Sequence, residues 1–119
     1  MQTNILNSDT ICAIATPHGM GAIAVVRVSG TEAISIVSQL FKQNGRPFDL
    51  SKMVANKAYY GHIVDHGELL DEVLVTFFKA PHSFTGEDSV EISVHGSVFI
   101  QQKLLQILIA HGWRMSDAG

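Results

Sequence analysis

Short apolar and alternating stretches in the first third of the chain predict two strands. Thr10–Thr16 reads T-I-C-A-I-A-T, which is typical of a short buried strand. Ala22–Val28 reads A-I-A-V-V-R-V and predicts a second buried strand, apolar throughout except for Arg27. Pro17–Gly21 lies between them and predicts a turn.

Two later stretches predict a β-hairpin, and a third predicts another strand. Tyr59–Val64 and Glu72–Phe78 read as paired strands joined by a turn at Asp65–Gly67. The next strand follows the polar, Gly-containing segment Pro81–Asp88. Period-two alternation sends one set of its side chains to each face of the sheet: Val90, Ile92 and Val94 to one, and Ser89, Glu91 and Ser93 to the other.

Helical spacing of apolar residues predicts two helices. Ser29–Glu32 has the S-x-x-E spacing of a capping box, and Ala33–Phe41 continues it with one apolar stripe that ends before Asn44–Pro47. Ser97–Ala110 predicts a second helix, closed by Gly112. Its apolar surface is wider than one stripe, which predicts contacts on more than one side. The element order predicts an α+β domain, a mixed β-sheet with two main helices on one face.

Composition and charge narrow the class of protein. A chain of 119 residues is expected to form one domain. Its net charge of −3, with eight scattered Lys and Arg residues, argues against a domain that binds nucleic acid by itself. One Cys excludes an internal disulfide and is typical of a reducing compartment. No signal peptide precedes Thr10, and no apolar run approaches the ~20 residues of a membrane span. We expect a soluble, cytoplasmic protein with no membrane partner.

Several common sites are excluded by the motifs. Gly19-Met-Gly21 lacks the third Gly of a dinucleotide loop because position 24 is Ala, and no G-x-x-x-x-G-K-[ST] motif is present. The six His show no recognised metal-ligand spacing, so we predict no metal site. Cys12 lies in an apolar strand and is expected to be a buried structural thiol. No residue has, in sequence, the arrangement of a general base with an orienting partner, so we name no catalytic residue.

Arg27 and Glu91 remain as candidate binding residues. A charged side chain in an apolar strand must be paired or must face a cavity, so Arg27 requires an explanation. One reading is a structural ion pair between the two residues, or a solvated position for each. The other reading is a polar pocket, in which a carboxylate accepts paired N–H groups of a ring edge and an arginine donates to carbonyl or carboxylate groups.

Two motifs give the chain a family resemblance. The first is D-T-I-C-A-I-A-T-P-H-G-M-G-A-I-A-V-V-R-V-S-G from Asp9 to Gly30. The second comprises L-D-E-V-L-V from Leu70, P-H-S-F-T-G-E-D from Pro81, then Glu91 and His95-Gly96. Together they resemble the N-terminal domain of the MnmE (TrmE) family of tRNA-modification GTPases. Met20 and Ser97 depart from the residues that many relatives carry there.

The resemblance implies a fold similar to the folate-binding fold of aminomethyltransferases. It implies that residues 1–119 are a single N-terminal domain that binds 5-formyl-tetrahydrofolate as a one-carbon carrier, with Arg27 and Glu91 as folate contacts, and that forms a homodimer. The full protein would add a helical domain and a G domain that binds GTP, potassium and magnesium. With the flavin-dependent partner MnmG (GidA), it would modify C5 of the wobble uridine in tRNA. This segment alone is expected to have no GTPase activity.

Two alternatives to a folate-binding domain stay open. The first is a structural dimerisation domain whose vestigial pocket binds nothing, with Arg27 and Glu91 as an internal pair. The second is a free-standing one-carbon transferase, which the lack of an arranged base or nucleophile disfavours.

Overall fold

A computed structural model describes residues 3–5, 11–14, 23–80 and 86–118 of the chain. The predicted turn at Pro17–Gly21 lies outside these residues, as does most of the turn that begins at Pro81. No helix in the described residues is both long enough and apolar enough to cross a membrane.

Eight strands of the described chain form one sheet, in the order β1-β2-β3-β8-β7-β6-β4-β5. The strands are β1 Thr3–Ile5, β2 Ile11–Ile14, β3 Ile23–Ser29, β4 Phe41–Gln43, β5 Arg46–Pro47, β6 Ala58–Asp65, β7 Glu68–Phe78 and β8 Ser89–His95. The helices are α1 Ala33–Leu40 and α2 Val98–Ala118, with a 3₁₀ turn at Leu50–Lys52. The α+β class is confirmed. The described strand pairs are all antiparallel, so the sheet is antiparallel and not, as the sequence predicted, mixed.

Both helices pack against the same side of the sheet, as predicted. Alternate side chains of the strands enter one hydrophobic core with the apolar stripes of α1 and α2. On the strands these are Cys12, Ile14, Ala24, Val26, Val28, Phe41, Ile63, Val73, Val75, Phe77, Val90, Ile92 and Val94. On the helices they are Ala33, Ile36, Val37, Leu40, Leu104, Leu105, Ile107 and Leu108. The other alternating set, which includes Ile23, Arg27, Tyr60, Leu74, Glu91 and Ser93, lies on the side that we call the open face.

The predicted capping box before α1 is wrong. Ser29 is still paired within the sheet, opposite Ile11 and Ser89, so it cannot cap a helix. Glu32 occupies the N-cap position without a side-chain capping hydrogen bond. α1 also ends earlier than expected, because Phe41 is already extended and pairs with Ile63 of β6. Helix α1 is therefore a short crossover that carries the chain from β3 to the far edge of the sheet.

The predicted hairpin is confirmed, with a tighter turn and a longer second strand. β6 and β7 are joined by His66 and Gly67, which both have positive φ (51° and 78°). Two such residues in succession are typical of a type I′ turn, whose twist matches that of paired strands. β7 therefore begins at Glu68, four residues before the predicted start at Glu72.

Helix α2 begins as predicted and continues beyond its predicted end. The Ser97 hydroxyl accepts a hydrogen bond from the Ile100 N–H (3.0 Å), which is an N-cap contact. The helix runs through the buried Gly112, so the expected stop at that glycine is wrong. Most of its apolar surface is buried in the core of the chain. In the described part of the helix, Phe99 is the large apolar side chain that remains exposed to solvent (72%).

Cys12 has the structural position expected from its sequence context. Its side chain is fully buried in the core, and burial raises the pKa of the thiol to about 11. The thiolate is the form that attacks a disulfide reagent, and it is scarce at pH 8 when the pKa is about 11. We expect Cys12 to react with a disulfide reagent only as fast as the chain unfolds, and rapidly in denaturant. Rapid labelling of the folded chain would contradict this burial.

Gly61 is required where β6 passes β4. A Cβ at this position would collide with the Lys42 carbonyl oxygen and lie 2.5 Å from Phe41 Cε1. We expect Gly61→Ala to lower the free energy of unfolding by about 3 kcal/mol, measured by denaturant titration. The matched control is Gly67→Ala, where space is open but φ is +78°, which should cost about 1 kcal/mol. Equal losses in the two variants would contradict the steric explanation.

Candidate functional site

Arg27 and Glu91 lie directly opposite each other on neighbouring strands. The antiparallel register of β3 and β8 pairs their Cα positions, and alternation places both side chains on the open face. Arg27 Nη2 lies 2.6 Å and Nε lies 3.1 Å from the same carboxylate oxygen, Glu91 Oε2. The structure thus joins the two residues that the sequence singled out 64 positions apart.

This ion pair is only partly withdrawn from solvent. The Arg27 and Glu91 side chains are 22% and 23% exposed, so each charge keeps contact with the surroundings. Thr76 of β7 flanks Glu91 on the far side, and Ala13 of β2 flanks Arg27. Both of these flanking side chains are small. The geometry is therefore compatible with a structural ion pair and with a polar binding site.

Asp88 of the G-E-D segment has a structural role at the entrance to β8. Its Oδ1 accepts a hydrogen bond from the Ala80 N–H (2.9 Å), and its carbonyl accepts one from the Gly30 N–H (2.9 Å). Lys79 Nζ lies 3.9 Å from its Oδ2. These contacts hold the two ends of the segment before β8 beside the end of β3. Asp88 thereby fixes where the chain enters the strand that carries Glu91.

Ser89 adds a polar group to the open face two residues before Glu91. It is 1% exposed, and within the described residues its buried hydroxyl has no hydrogen-bond partner. A buried hydroxyl without a partner is costly in a folded protein. The Glu91 end of the open face therefore has a buried polar group, the Ser89 hydroxyl, as well as the partly exposed ion pair.

A second acid–base pair lies at the other end of β8. His95 Nδ1 lies 2.7 Å from Asp71 Oδ1, and the His95 backbone N–H donates to Asp71 Oδ2 (2.8 Å). The Asp71 side chain is 9% exposed, whereas the His95 side chain is 64% exposed. Since an ionised carboxylate can only accept hydrogen bonds, His95 Nδ1 carries a proton and donates a hydrogen bond to Asp71. A buried carboxylate therefore fixes the tautomer and orientation of an exposed imidazole.

A shallow cavity of about 260 Å³ opens on the same face beside His95. Its lining is mostly apolar and comes from four strands: Ile23, Tyr60, Glu72, Val73, Leu74, Ser93, Val94 and His95. Ile23, Tyr60 and Leu74 are 63%, 56% and 46% exposed, an uncommon degree of exposure for neighbouring large apolar side chains. The cavity begins one side-chain row beyond Glu91 along β8, at Ser93.

In the folded chain His95 has a carboxylate partner that was not identified from the sequence. Asp71 and His95 are 24 residues apart in sequence, so no local spacing announces the pair. Both lie in motifs already quoted for the family resemblance, L-D-E-V-L-V and His95-Gly96, where they had no assigned role. The period-two pattern of β7 would place Asp71 with Val73 and Val75 on the helix side of the sheet, so alternation gave no signal for the pair.

The remaining titratable clusters do not form a metal centre. His111 Nε2 lies 2.9 Å from Asp65 Oδ1, and His66 Nε2 lies 3.8 Å from the same oxygen, at the junction of the β6–β7 hairpin with α2. In the part of the chain that the structure describes, no group of three or more His, Cys, Asp or Glu is placed to hold a metal ion.

Comparison with known proteins identifies the family. Residues 10–119 match the family described as "GTP-binding protein TrmE N-terminus". Proteins named tRNA modification GTPase MnmE are similar along almost the whole chain: that of Flavobacterium johnsoniae is 54% identical over 97% of this chain, and that of Porphyromonas gingivalis 50% over 95%. The Enterococcus faecalis protein is 42% identical over the full chain.

The matched region is a limited part of each relative. The chain covers 24% of the Flavobacterium johnsoniae and Porphyromonas gingivalis proteins and 26% of the Enterococcus faecalis protein. The match to the family covers more than nine-tenths of this chain and includes Arg27, Glu91, Asp71 and His95. The chain belongs to the TrmE N-terminal family and corresponds to the N-terminal domain of the tRNA modification GTPase MnmE.

Proposed function

We propose that this domain binds a reduced folate, 5-formyl-tetrahydrofolate, on its open face beside Arg27 and Glu91. The observation that carries the proposal is the partly exposed ion pair between them, on a sheet face that neither helix covers. Charged side chains on a sheet surface are ordinary, but here the pair adjoins a buried hydroxyl and an apolar cavity. A few polar groups beside an apolar surface are typical of small-molecule sites.

The ion pair leaves capacity for a ligand. Arg27 Nε and Nη2 both contact Oε2 of Glu91, while a carboxylate offers about four lone-pair sites on two oxygens. Arg27 therefore orients the Glu91 carboxylate and leaves lone pairs on it that can accept further hydrogen bonds. Glu91 would then accept the paired N–H groups of the aminopyrimidine edge of a pterin, a bidentate contact of the strong, charge-assisted type.

The open face also supplies an apolar surface for a flat ring. Val25 of β3 and Leu74 of β7 flank Ser93 on the row after Glu91, and Leu74 is 46% exposed. A ring held by Glu91 would cover part of this surface. Burying it would add hydrophobic stabilisation at roughly 25 cal/mol per Å² of apolar area removed from water.

The larger protein would supply the remaining chemistry. We propose that a G domain elsewhere in it binds and hydrolyses GTP with potassium and magnesium, since this chain contains no P-loop motif. With MnmG (GidA), the protein would modify C5 of wobble uridine in tRNA, and the folate bound here would supply or position the one-carbon unit. Relatives named tRNA modification GTPase MnmE support this proposal.

We further propose that the domain forms a homodimer with the folate site at or near its interface. The apolar surface of α2, which the sequence predicts to make contacts on more than one side, is mostly buried within the chain. The better support is the open face, where Ile23, Tyr60 and Leu74 are exposed together beside the ion pair. In an isologous contact around such a patch the two copies would enclose the bound folate, so that each exposed side chain meets either the ligand or the partner.

One observation favours a second function, that of a dimerisation domain with a vestigial pocket. Arg27 and Glu91 satisfy each other at 2.6 Å, which an internal structural pair would also do. The two functions differ in what removal of the Glu91 charge does. A structural pair mainly loses stability, whereas a folate site mainly loses affinity.

Calorimetric titration of 5-formyl-tetrahydrofolate into wild-type chain and Glu91→Gln tests the folate proposal. We expect saturable binding to the wild type and at least ten-fold weaker binding to Glu91→Gln, because loss of a hydrogen bond to a charged group costs about 1.5–3 kcal/mol. The partly exposed pair should contribute only about 1–2 kcal/mol to folding, which denaturant titration of the same variant measures.

The matched control for that titration is Glu68→Gln. It removes one negative charge from an exposed position at the start of β7, next to the β6–β7 turn and away from the ion pair. It should bind folate as the wild type does. Absence of binding by a folded wild-type chain would refute the folate proposal and favour the dimerisation domain.

Light scattering at micromolar concentration tests the dimer. We expect the mass of two chains, and an Ile23→Glu substitution should shift the chain toward monomer because it places a charge in the exposed apolar patch. The control Leu50→Glu changes a 42%-exposed side chain of the 3₁₀ turn, outside that patch. A wild-type monomer under these conditions would contradict the proposed interface.

A further inference from the structure

We propose that His95 is the second polar anchor of the ligand on the open face, and that its Nε2 accepts the N–H of the amide following the p-aminobenzoyl ring of folate. This inference rests on the proposed function and assigns the half of the ligand that Arg27 and Glu91 do not reach. The Asp71–His95 pair and the adjoining cavity carry the inference.

The orientation of His95 makes its outer nitrogen an acceptor. Nδ1–H is directed at the buried Asp71 carboxylate (2.7 Å), so in the neutral ring Nε2 carries the lone pair. Asp71 also holds the His95 backbone through Oδ2 (2.8 Å), and therefore fixes both the strand end and the ring. With 64% of the side chain exposed, the outer edge of the ring is reachable by a ligand.

The position of His95 fits an extended ligand bound at Glu91. Glu91, Ser93 and His95 follow one another on the same face of β8, so four residues separate the two anchors by about 13 Å. This span is comparable with the distance from the pterin edge to the benzoyl amide of an extended folate. The cavity of about 260 Å³ begins between them, at Ser93, and reaches His95.

The lining of the cavity favours an apolar ring followed by an N–H donor. Ile23, Leu74 and the Tyr60 ring supply flat apolar contact for the benzoyl group. At the far end, Glu72 lines the same cavity as His95, so two acceptors converge there. A carboxylate would be repelled by Glu72, whereas an amide N–H would be accepted. The glutamate carboxylates are therefore assigned to solvent beyond the cavity.

The test compares two ligands against one substitution. Calorimetry measures the affinity of wild-type chain and His95→Ala for 5-formyl-tetrahydrofolate and for a 5-formyl-tetrahydropterin that lacks the benzoyl-glutamate half. We expect His95→Ala to weaken folate binding about five-fold, the effect of one lost hydrogen bond, and to leave pterin binding unchanged. His66→Asn is the matched control, because His66 is an exposed imidazole in the β6–β7 turn, outside the cavity lining, and Asn tolerates its positive φ.

The outcomes separate this inference from the proposed function. Folate binding that is unchanged in His95→Ala overturns the inference while the proposed function stands. Equal weakening of both ligands also overturns it, since the effect would then be structural. If the wild type binds neither ligand, the proposed function fails and the inference fails with it.

Asp71 is a positioning residue in this scheme, and nitrogen NMR of labelled His95 tests that role. The wild-type neutral ring should show the Nδ1–H tautomer. In Asp71→Asn the amide can still accept from the His95 backbone, but the charge that holds Nδ1–H is lost, so the Nε2–H tautomer should gain population and folate should bind more weakly. An unchanged tautomer together with unchanged affinity would remove Asp71 from the site.

Discussion

The register between β3 and β8 is the constraint on which the candidate site depends. It sets Arg27 opposite Glu91 and, in the same ladder, Val26 opposite Ile92 and Val28 opposite Val90. Because side chains alternate with a period of two, a shift of one residue would turn the charged pair into the core and the valines out to solvent. The cost of burying those charges unpaired makes the hydrophobic core and the ion pair enforce the same alignment.

This alignment gives the two sides of the sheet different roles. The helix side is filled by short aliphatic residues of the strands and by the stripes of α1 and α2. Polar groups follow one another along β8 with increasing exposure: the buried Ser89 hydroxyl, the partly exposed ion pair at Glu91 and the exposed imidazole of His95. Between the last two, exposed apolar side chains line a cavity. A surface that is polar at both ends and apolar between them complements an elongated ligand with the same order of groups.

The elements predicted correctly from the sequence are those whose apolar residues recur with a clear local period. β3, β8 and the β6–β7 hairpin follow from apolar runs or alternation, and Arg27 and Glu91 stand out as charges in such strands. The two- and three-residue strands β1, β4 and β5 are too short to show a period. The capping box was misassigned because Ser29 is used in the sheet, and Gly112 failed to end α2 because glycine costs a helix only about 1 kcal/mol. The Asp71–His95 pair depends on strand register, which no local pattern contains.

NMR mapping of the labelled chain shows whether the ligand binds on the open face. On addition of 5-formyl-tetrahydrofolate, we expect backbone amide shifts concentrated in β3, β7 and β8 around Arg27, Glu91 and His95, with little change in α1. Shifts confined to the helix side, or to the junction of His111 with Asp65, would exclude binding on the open face.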